Sequence, residues 1–134
     1  MAAGGAALTL ATVPATAAAA PTGSLAQSEA DPIFALIARH RAEQEAYGEA
    51  LVAREHGVTA NHRDEQLCHS CHELGWALAN TTPTSLAGVA AVLRYVNEFE
   101  DRGEEWPDTD TIGSDGWHYQ LRQTAARALE TPLS

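Results

Sequence analysis

Apolar residues recur at helical spacing between positions 86 and 99, and this repeat constrains the fold more than any other feature of the chain. The repeating residues are Leu86, Val89, Leu93, Val96 and Phe99. Residues three and four apart lie on one face of an α-helix, so the repeat predicts an amphipathic helix, with Thr84 or Ser85 as its cap. Such a face has to be covered by another element, which favours helices packed on helices.

Three further segments also read as helices. The first is predicted over residues 32–56, the second begins after Asn61 and ends near Asn80, and the last runs from about Trp117 to Glu130. Their inner faces are predicted to contain Ile33, Phe34, Ile37, Tyr47 and Leu51; then Leu67, Cys71, Leu74 and Leu78; then Trp117, Leu121, Ala125, Ala128 and Leu129. No segment shows strand alternation. The predicted fold class is all-α, a small bundle of about four helices.

Capping residues support these boundaries. Asp31 is a favourable N-cap and Pro32 suits the first helical position, while Gly57 is a typical helix stop. Asn61 can cap the second helix. In the first helix, His40 and Gln44 interrupt the apolar stripe. The acidic segment 100–116 contains glycine and proline, and it is predicted to be a loop that folds over the bundle.

The N-terminal part of the chain differs in composition from the predicted helical domain. Residues 1–20 are Ala-rich and signal-like, residues 21–30 read as a linker, and residues 31–134 form the predicted helical domain. Ala17 and Ala19 satisfy the small-x-small rule for signal cleavage. A basic region is missing before them, so we expect Met1 to be internal to a longer reading frame. A periplasmic or secreted location is predicted; the alternative is a disordered tail on a cytoplasmic protein.

Charge and composition limit the partners. The chain has 18 acidic residues against eight arginines and no lysine, for a net charge of −10. Nucleic acid and anionic membrane surfaces are therefore disfavoured as partners, since both carry negative charge. No membrane span is expected in the mature chain. Abundant alanine and few aromatic residues predict a thin core, which a homodimer or an unknown protein partner would help to bury.

Residues 68–72 read Cys-His-Ser-Cys-His, the pattern that attaches haem covalently in c-type cytochromes. In that interpretation Cys68 and Cys71 would bond the haem, and His72 would bind the iron. The second axial ligand would have to come from His40, His56, His62 or His118, because the only methionine is Met1. The alternative interpretation is that the five residues belong to an ordinary amphipathic helix with Cys71 in its core.

A Cys/His metal site is a further alternative. Positions 68, 71 and 72 share a helix face, and His62 or His118 could complete a tetrahedral set. No second C-x-x-C strengthens this prediction. The segment from Asp108 begins like a calcium-binding loop, but Ile112 and Tyr119 stand where two ligands are required, so a solvated acidic loop is predicted there.

Sequence motifs for catalysis are lacking. There is no G-x-S-x-G, no phosphate-binding glycine loop and no H-E-x-x-H in the sequence. We therefore expect a small helical binding or structural protein that is not an enzyme, with no cofactor. The alternatives are a c-type haem electron carrier and a metal-binding module.

Three stretches resemble a group of short helical proteins from rhizobial-type alphaproteobacteria. These stretches are DPIFALIARHRAEQEAY, TTPTSLAGVAAVLRYV and GWHYQLRQTAARAL, and the similarity covers most of residues 31–130. The group shares an Asp-Pro-Ile-Phe start, a Thr-Pro-Thr-Thr-Leu-Ala-Gly centre and a late Trp-His pair; here Ser85 stands where the group usually has threonine. The resemblance implies no function, and no residue inherits a role from it.

Overall fold

The computed structural model describes residues 30–57 and 62–132, and these residues form four α-helices with no strand among them. The helices are α1 (Pro32–Glu55), α2 (Arg63–Asn80), α3 (Leu86–Asp101) and α4 (Trp117–Glu130). The predicted all-α fold class of about four helices is confirmed. The signal-like segment 1–20, nearly all of the linker, and Asn61 lie outside the described residues.

Each helix packs against two of the others. Both α1 and α4 contact α2 and α3. The core between them consists of Ile33, Leu78, Ala79, Val92, Tyr95, Val96, Phe99, Trp106, Trp117 and Leu121. None of the described helices is long and apolar enough to cross a membrane.

Most of the predicted helix ends are confirmed. Asp31 caps α1 through a hydrogen bond from the Ile33 amide, and Ser85 caps α3 by accepting from the Gly88 amide. Gly57 follows α1 in a left-handed conformation with φ of 76°. At the start of α2, His62 occupies the N-cap position without a side-chain capping bond.

Two predicted inner faces need correction. In α3, Leu86 and Leu93 are 62 % and 43 % exposed, whereas Val92 and Tyr95 are buried. The buried face of this helix is rotated toward Tyr95 because Trp106 of the following loop packs against it. In α4, Leu129 is 60 % exposed and Thr124 is buried instead, since its hydroxyl donates to the Ala79 carbonyl 2.9 Å away.

The loop after α3 folds back over the bundle, as the sequence predicted. Trp106 is 3 % exposed and stacks on Trp117 with ring centroids 4.4 Å apart and an interplanar angle of 6°. The Trp117 indole N–H donates to the Gly75 carbonyl at 2.6 Å, which ties α4 to α2. Tyr95, Phe99, Trp106 and Trp117 therefore form one buried aromatic cluster, in which each ring buries a large area.

Candidate functional site

A groove runs between α1 and α2, and the Cys-x-x-Cys-His segment lies along it. The groove has an inner hollow of about 260 Å³ and an adjoining outer hollow of about 420 Å³. Tyr47, Cys68 and His72 line both hollows. The inner hollow is also lined by His40, Gln44, Cys71, Phe99, Glu105, Trp106 and Pro107. The outer hollow is also lined by Leu51, Arg54, Asp64, Glu65 and His69.

The two cysteines occupy different environments in α2. Cys68 is exposed, whereas Cys71 is 5 % exposed, and both are free thiols. Burial raises the pKa of Cys71 to about 11, and the negative charge of Glu43 acts in the same direction. The Cys71 thiol is therefore protonated at neutral pH, which is typical of an inert core cysteine.

His40 is the most deeply buried polar group of the groove, with 1 % of its surface exposed. Its Nδ1 lies 2.7 Å from the Tyr95 hydroxyl, and its ring stacks on Trp106 at a centroid distance of 5.1 Å. Burial lowers the pKa of His40 to about 4; Glu104 opposes this shift and Arg102 adds to it. The imidazole is therefore neutral at pH 7.

The other ring nitrogen of His40, Nε2, has no hydrogen-bond partner among the described residues. Among the described residues, one fully buried side-chain polar atom lacks a hydrogen-bond partner, and that atom is Trp106 Nε1. His40 itself lines the inner hollow. A buried imidazole that lines a hollow and has one nitrogen anchored can bind a ligand through its other nitrogen, by hydrogen bonding or coordination.

The Tyr47 hydroxyl borders Cys68 in the middle of the groove. Burial raises the pKa of Tyr47, and a hydrogen bond to the Cys68 side chain raises it further. At the outer end, Arg54 donates a hydrogen bond of 2.8 Å to Asp64, whose pKa is lowered by this bond. This ion pair holds the end of α1 against the start of α2 and closes the outer hollow at that side.

The structure separates the histidines that were predicted as partners of the Cys-x-x-Cys-His segment. His40 lines the same hollow as Cys68, Cys71 and His72. His118 contacts Glu100 at 3.1 Å, on α4 and α3, and neither it nor His62 lines the groove. Within residues 30–57 and 62–132, no group of three or more His, Cys, Asp or Glu side chains is arranged to hold a metal ion.

The haem interpretation also expects the motif near the start of a helix. Cys68 is instead the sixth residue of an 18-residue helix, and Cys71 is directed into the core. The alternative prediction, that Cys71 is a core residue of an amphipathic helix, matches its burial. Asp108 and Asp110 are exposed loop residues, as the prediction of a solvated acidic loop requires.

The sequence did not predict how two residues contribute to the groove. Trp106 forms a wall of the inner hollow although it lies in the acidic loop, 34 positions after His72. His40 was noted as an interruption of an apolar stripe and as one of four candidate second axial ligands for a haem. A polar residue at a core position of a helix was the available signal, but its partner Tyr95 is 55 positions away. No protein family, curated protein or solved structure matches this chain.

Proposed function

We propose that this protein binds a small organic ligand in the α1–α2 groove. The observation that carries the proposal is the placement of His40: this buried residue lines the inner hollow, and its Nε2 has no hydrogen-bond partner among the described residues. Ligand sites are typically concave and largely apolar with a few polar groups that fix orientation. Phe99 and Trp106 supply the apolar walls, and Tyr47 and His72 supply further polar atoms.

The proposed role is binding without catalysis. A cysteine nucleophile is normally activated as a thiolate beside a histidine that accepts its proton. In this groove, burial keeps the Cys71 thiol protonated and the His40 imidazole neutral, with pKa values of about 11 and about 4. Both shifts oppose a thiolate–imidazolium pair between Cys71 and His40, so these two residues are suited to hydrogen bonding rather than to nucleophilic catalysis.

Protein-detected NMR with a panel of neutral one-ring and two-ring aromatic fragments tests the proposal. Fragments that bind should perturb the amide resonances of residues 68–72 and of His40. Tyr47→Trp should abolish this binding because the larger ring fills the junction of the two hollows. Tyr119→Trp is the matched control, since Tyr119 is a half-buried tyrosine on α4 away from the groove. Failure of all fragments, or equal binding by both variants, would overturn the proposal.

Covalent haem binding is a second candidate, favoured by one specific observation. Cys68, Cys71, His72 and His40 all line the inner hollow. The Nδ1 of His40 is held by Tyr95, which is the arrangement that orients metal-binding histidines through their second nitrogen. Expression of the full reading frame beside haem-maturation machinery would decide it. A covalent haem mass with a Soret band would support this candidate, and a colourless chain of plain polypeptide mass would exclude it.

We also propose export from the cytoplasm, on the strength of the signal-like residues 1–20. The Ala17-x-Ala19 pattern places the expected cleavage after Ala19. Expression from the upstream reading frame, followed by fractionation and N-terminal sequencing, tests this. A periplasmic chain that begins at Ala20 is expected; an untrimmed chain in the cytoplasmic fraction would contradict export.

A further inference from the structure

The exposed thiol of Cys68 lies where the two hollows of the groove join, with the Tyr47 hydroxyl beside it. We propose that Cys68 holds a low-molecular-weight thiol as a mixed disulfide, with the rest of that molecule lying in the groove. This inference rests on the proposed ligand-binding function and names the class of ligand. Three features of the molecule support it: the geometry of α2, the burial of Cys71, and His40 in the inner hollow of the groove.

The geometry of α2 disfavours a disulfide between the two cysteines of this chain. Cys68 and Cys71 lie well inside a regular helix, three residues apart. Side chains at this spacing have Cβ atoms about 5–6 Å apart, whereas a disulfide requires a Cβ separation of about 3.5–4.5 Å. Forming this disulfide would distort the middle of α2, which contributes buried residues to the core.

Cys71 is also poorly suited to displace a small thiol that is bonded to Cys68. To expel the adduct, the Cys71 sulfur would have to attack Cys68 as a thiolate. Its side chain is 5 % exposed, and burial raises its pKa to about 11, so the thiolate is scarce at neutral pH. A mixed disulfide formed on Cys68 should therefore persist instead of being resolved internally.

The inner hollow offers the attached molecule a polar contact. His40 lines this hollow, and its Nδ1 lies 2.7 Å from the Tyr95 hydroxyl. In the tautomer that accepts the Tyr95 hydroxyl proton at Nδ1, Nε2 carries the ring hydrogen and is a donor. A small thiol that carries a carbonyl or carboxylate oxygen could accept from this N–H while its sulfur is bonded to Cys68.

The chemistry is thiol–disulfide exchange with a small-molecule disulfide as the oxidant. Cys68 loses its proton to solvent, and the thiolate attacks one sulfur of the disulfide. A new bond forms between the Cys68 sulfur and that sulfur as the original sulfur–sulfur bond breaks. The Cys68 sulfur is oxidised, and the departing thiolate carries away the electron pair and takes up a proton.

Oxidised glutathione is a suitable probe, applied to the full chain in glutathione redox buffers and read by intact mass and peptide mapping. One glutathione is expected on Cys68 and none on Cys71, unless urea is added. The control places a cysteine outside the groove: Ala126→Cys, on the exposed face of α4, combined with Cys68→Ala and Cys71→Ala. The Cys68 adduct should be favoured over the control adduct by about tenfold in its equilibrium constant, which corresponds to about 1.4 kcal/mol.

Tyr47→Trp should remove this preference, since it fills the space beside Cys68. Loss of two hydrogens without an adduct, an adduct on Cys71, or an equilibrium constant equal to that of the control would overturn the inference. The aromatic fragments separate it from the proposed function. If they bind the Cys68→Ser variant while Cys68 shows no preference for glutathione, the groove binds ligands and the covalent class is wrong.

Discussion

The Ser85 hydroxyl donates a hydrogen bond of 2.7 Å to the carboxylate of Asp31, which lies 54 positions earlier in the chain. The same carboxylate oxygen accepts from the backbone amides of Thr84 and Ser85, each at 3.0 Å. The second oxygen of Asp31 accepts from the Ile33 amide at 3.1 Å. One buried carboxylate therefore joins the N-termini of α1 and α3, where the helix dipoles favour negative charge.

Replacing this carboxylate should destabilise the whole bundle. Asp31→Ala removes both carboxylate oxygens and leaves buried amides without a partner, and we expect a loss of about 3 kcal/mol in the free energy of unfolding. Asp110→Ala is the control, because Asp110 is exposed in the loop; it should change stability by less than about 0.5 kcal/mol. Urea unfolding measures both, and equal stabilities of the two variants would contradict the role of Asp31.

Two helical glycines should respond oppositely to alanine. At Gly88 an added Cβ would collide with the Asp31 carboxylate, whereas at Gly48 nothing lies within 4 Å. Alanine is favoured over glycine in a helix interior by about 0.5–1 kcal/mol, so Gly48→Ala should raise the melting temperature. Gly88→Ala should lower it, because the buried Asp31 cannot move away without losing its hydrogen bonds. If both variants are stabilised, the close contact at Gly88 is not a constraint on the fold.

These contacts give a structural role to two stretches of the sequence. The Asp-Pro-Ile-Phe start and the Thr-Pro-Thr-Ser-Leu-Ala-Gly centre meet at the Asp31–Ser85 bond, and Gly88 provides the space for it. Threonine at position 85 would keep the same hydroxyl. These motifs are therefore structural, and the sequence could not show this because their partners are more than 50 positions apart.

The sequence predicted local features well and long-range packing poorly. The N-cap of α1, the cap of α3 and the stop at Gly57 follow from neighbouring residues, and all three are confirmed. The exposure of Leu86 and Leu93 was missed because periodicity alone does not say which of two adjacent faces the rest of the chain covers. The inner hollow depends on where Trp106 returns to the bundle, which no local pattern encodes.

The two cysteines should differ in their contributions to stability. Cys71→Ser places a hydroxyl in an apolar, buried position, and we expect a loss of about 1–2 kcal/mol in the free energy of unfolding. Cys68→Ser alters an exposed side chain and should change stability by less than about 0.5 kcal/mol. Urea unfolding under reducing conditions measures both. A larger loss for Cys68→Ser than for Cys71→Ser would contradict the assignment of Cys71 to the core.

His40 should make the stability of the protein fall in mild acid. Its pKa is about 4 in the folded chain, against an ordinary value of 6.5. Above pH 6.5 the imidazole is neutral in both states, so its contribution is fully present. Below pH 6.5 the unfolded chain binds a proton that the folded chain excludes, and stability decreases until about pH 4.

Between pH 7 and pH 5 we expect His40 to account for a loss of about 2 kcal/mol in the free energy of unfolding. Urea unfolding across this range measures the loss, and His40→Gln is the control, since glutamine keeps a hydrogen-bonding group near Tyr95 but does not titrate. The stability of the variant should be flatter with pH than that of the natural chain. NMR titration of the His40 ring provides a direct check. A midpoint near pH 6.5 in the folded protein would show that burial does not exclude the proton. The assignment of a neutral His40 imidazole at mildly acidic pH would then be wrong.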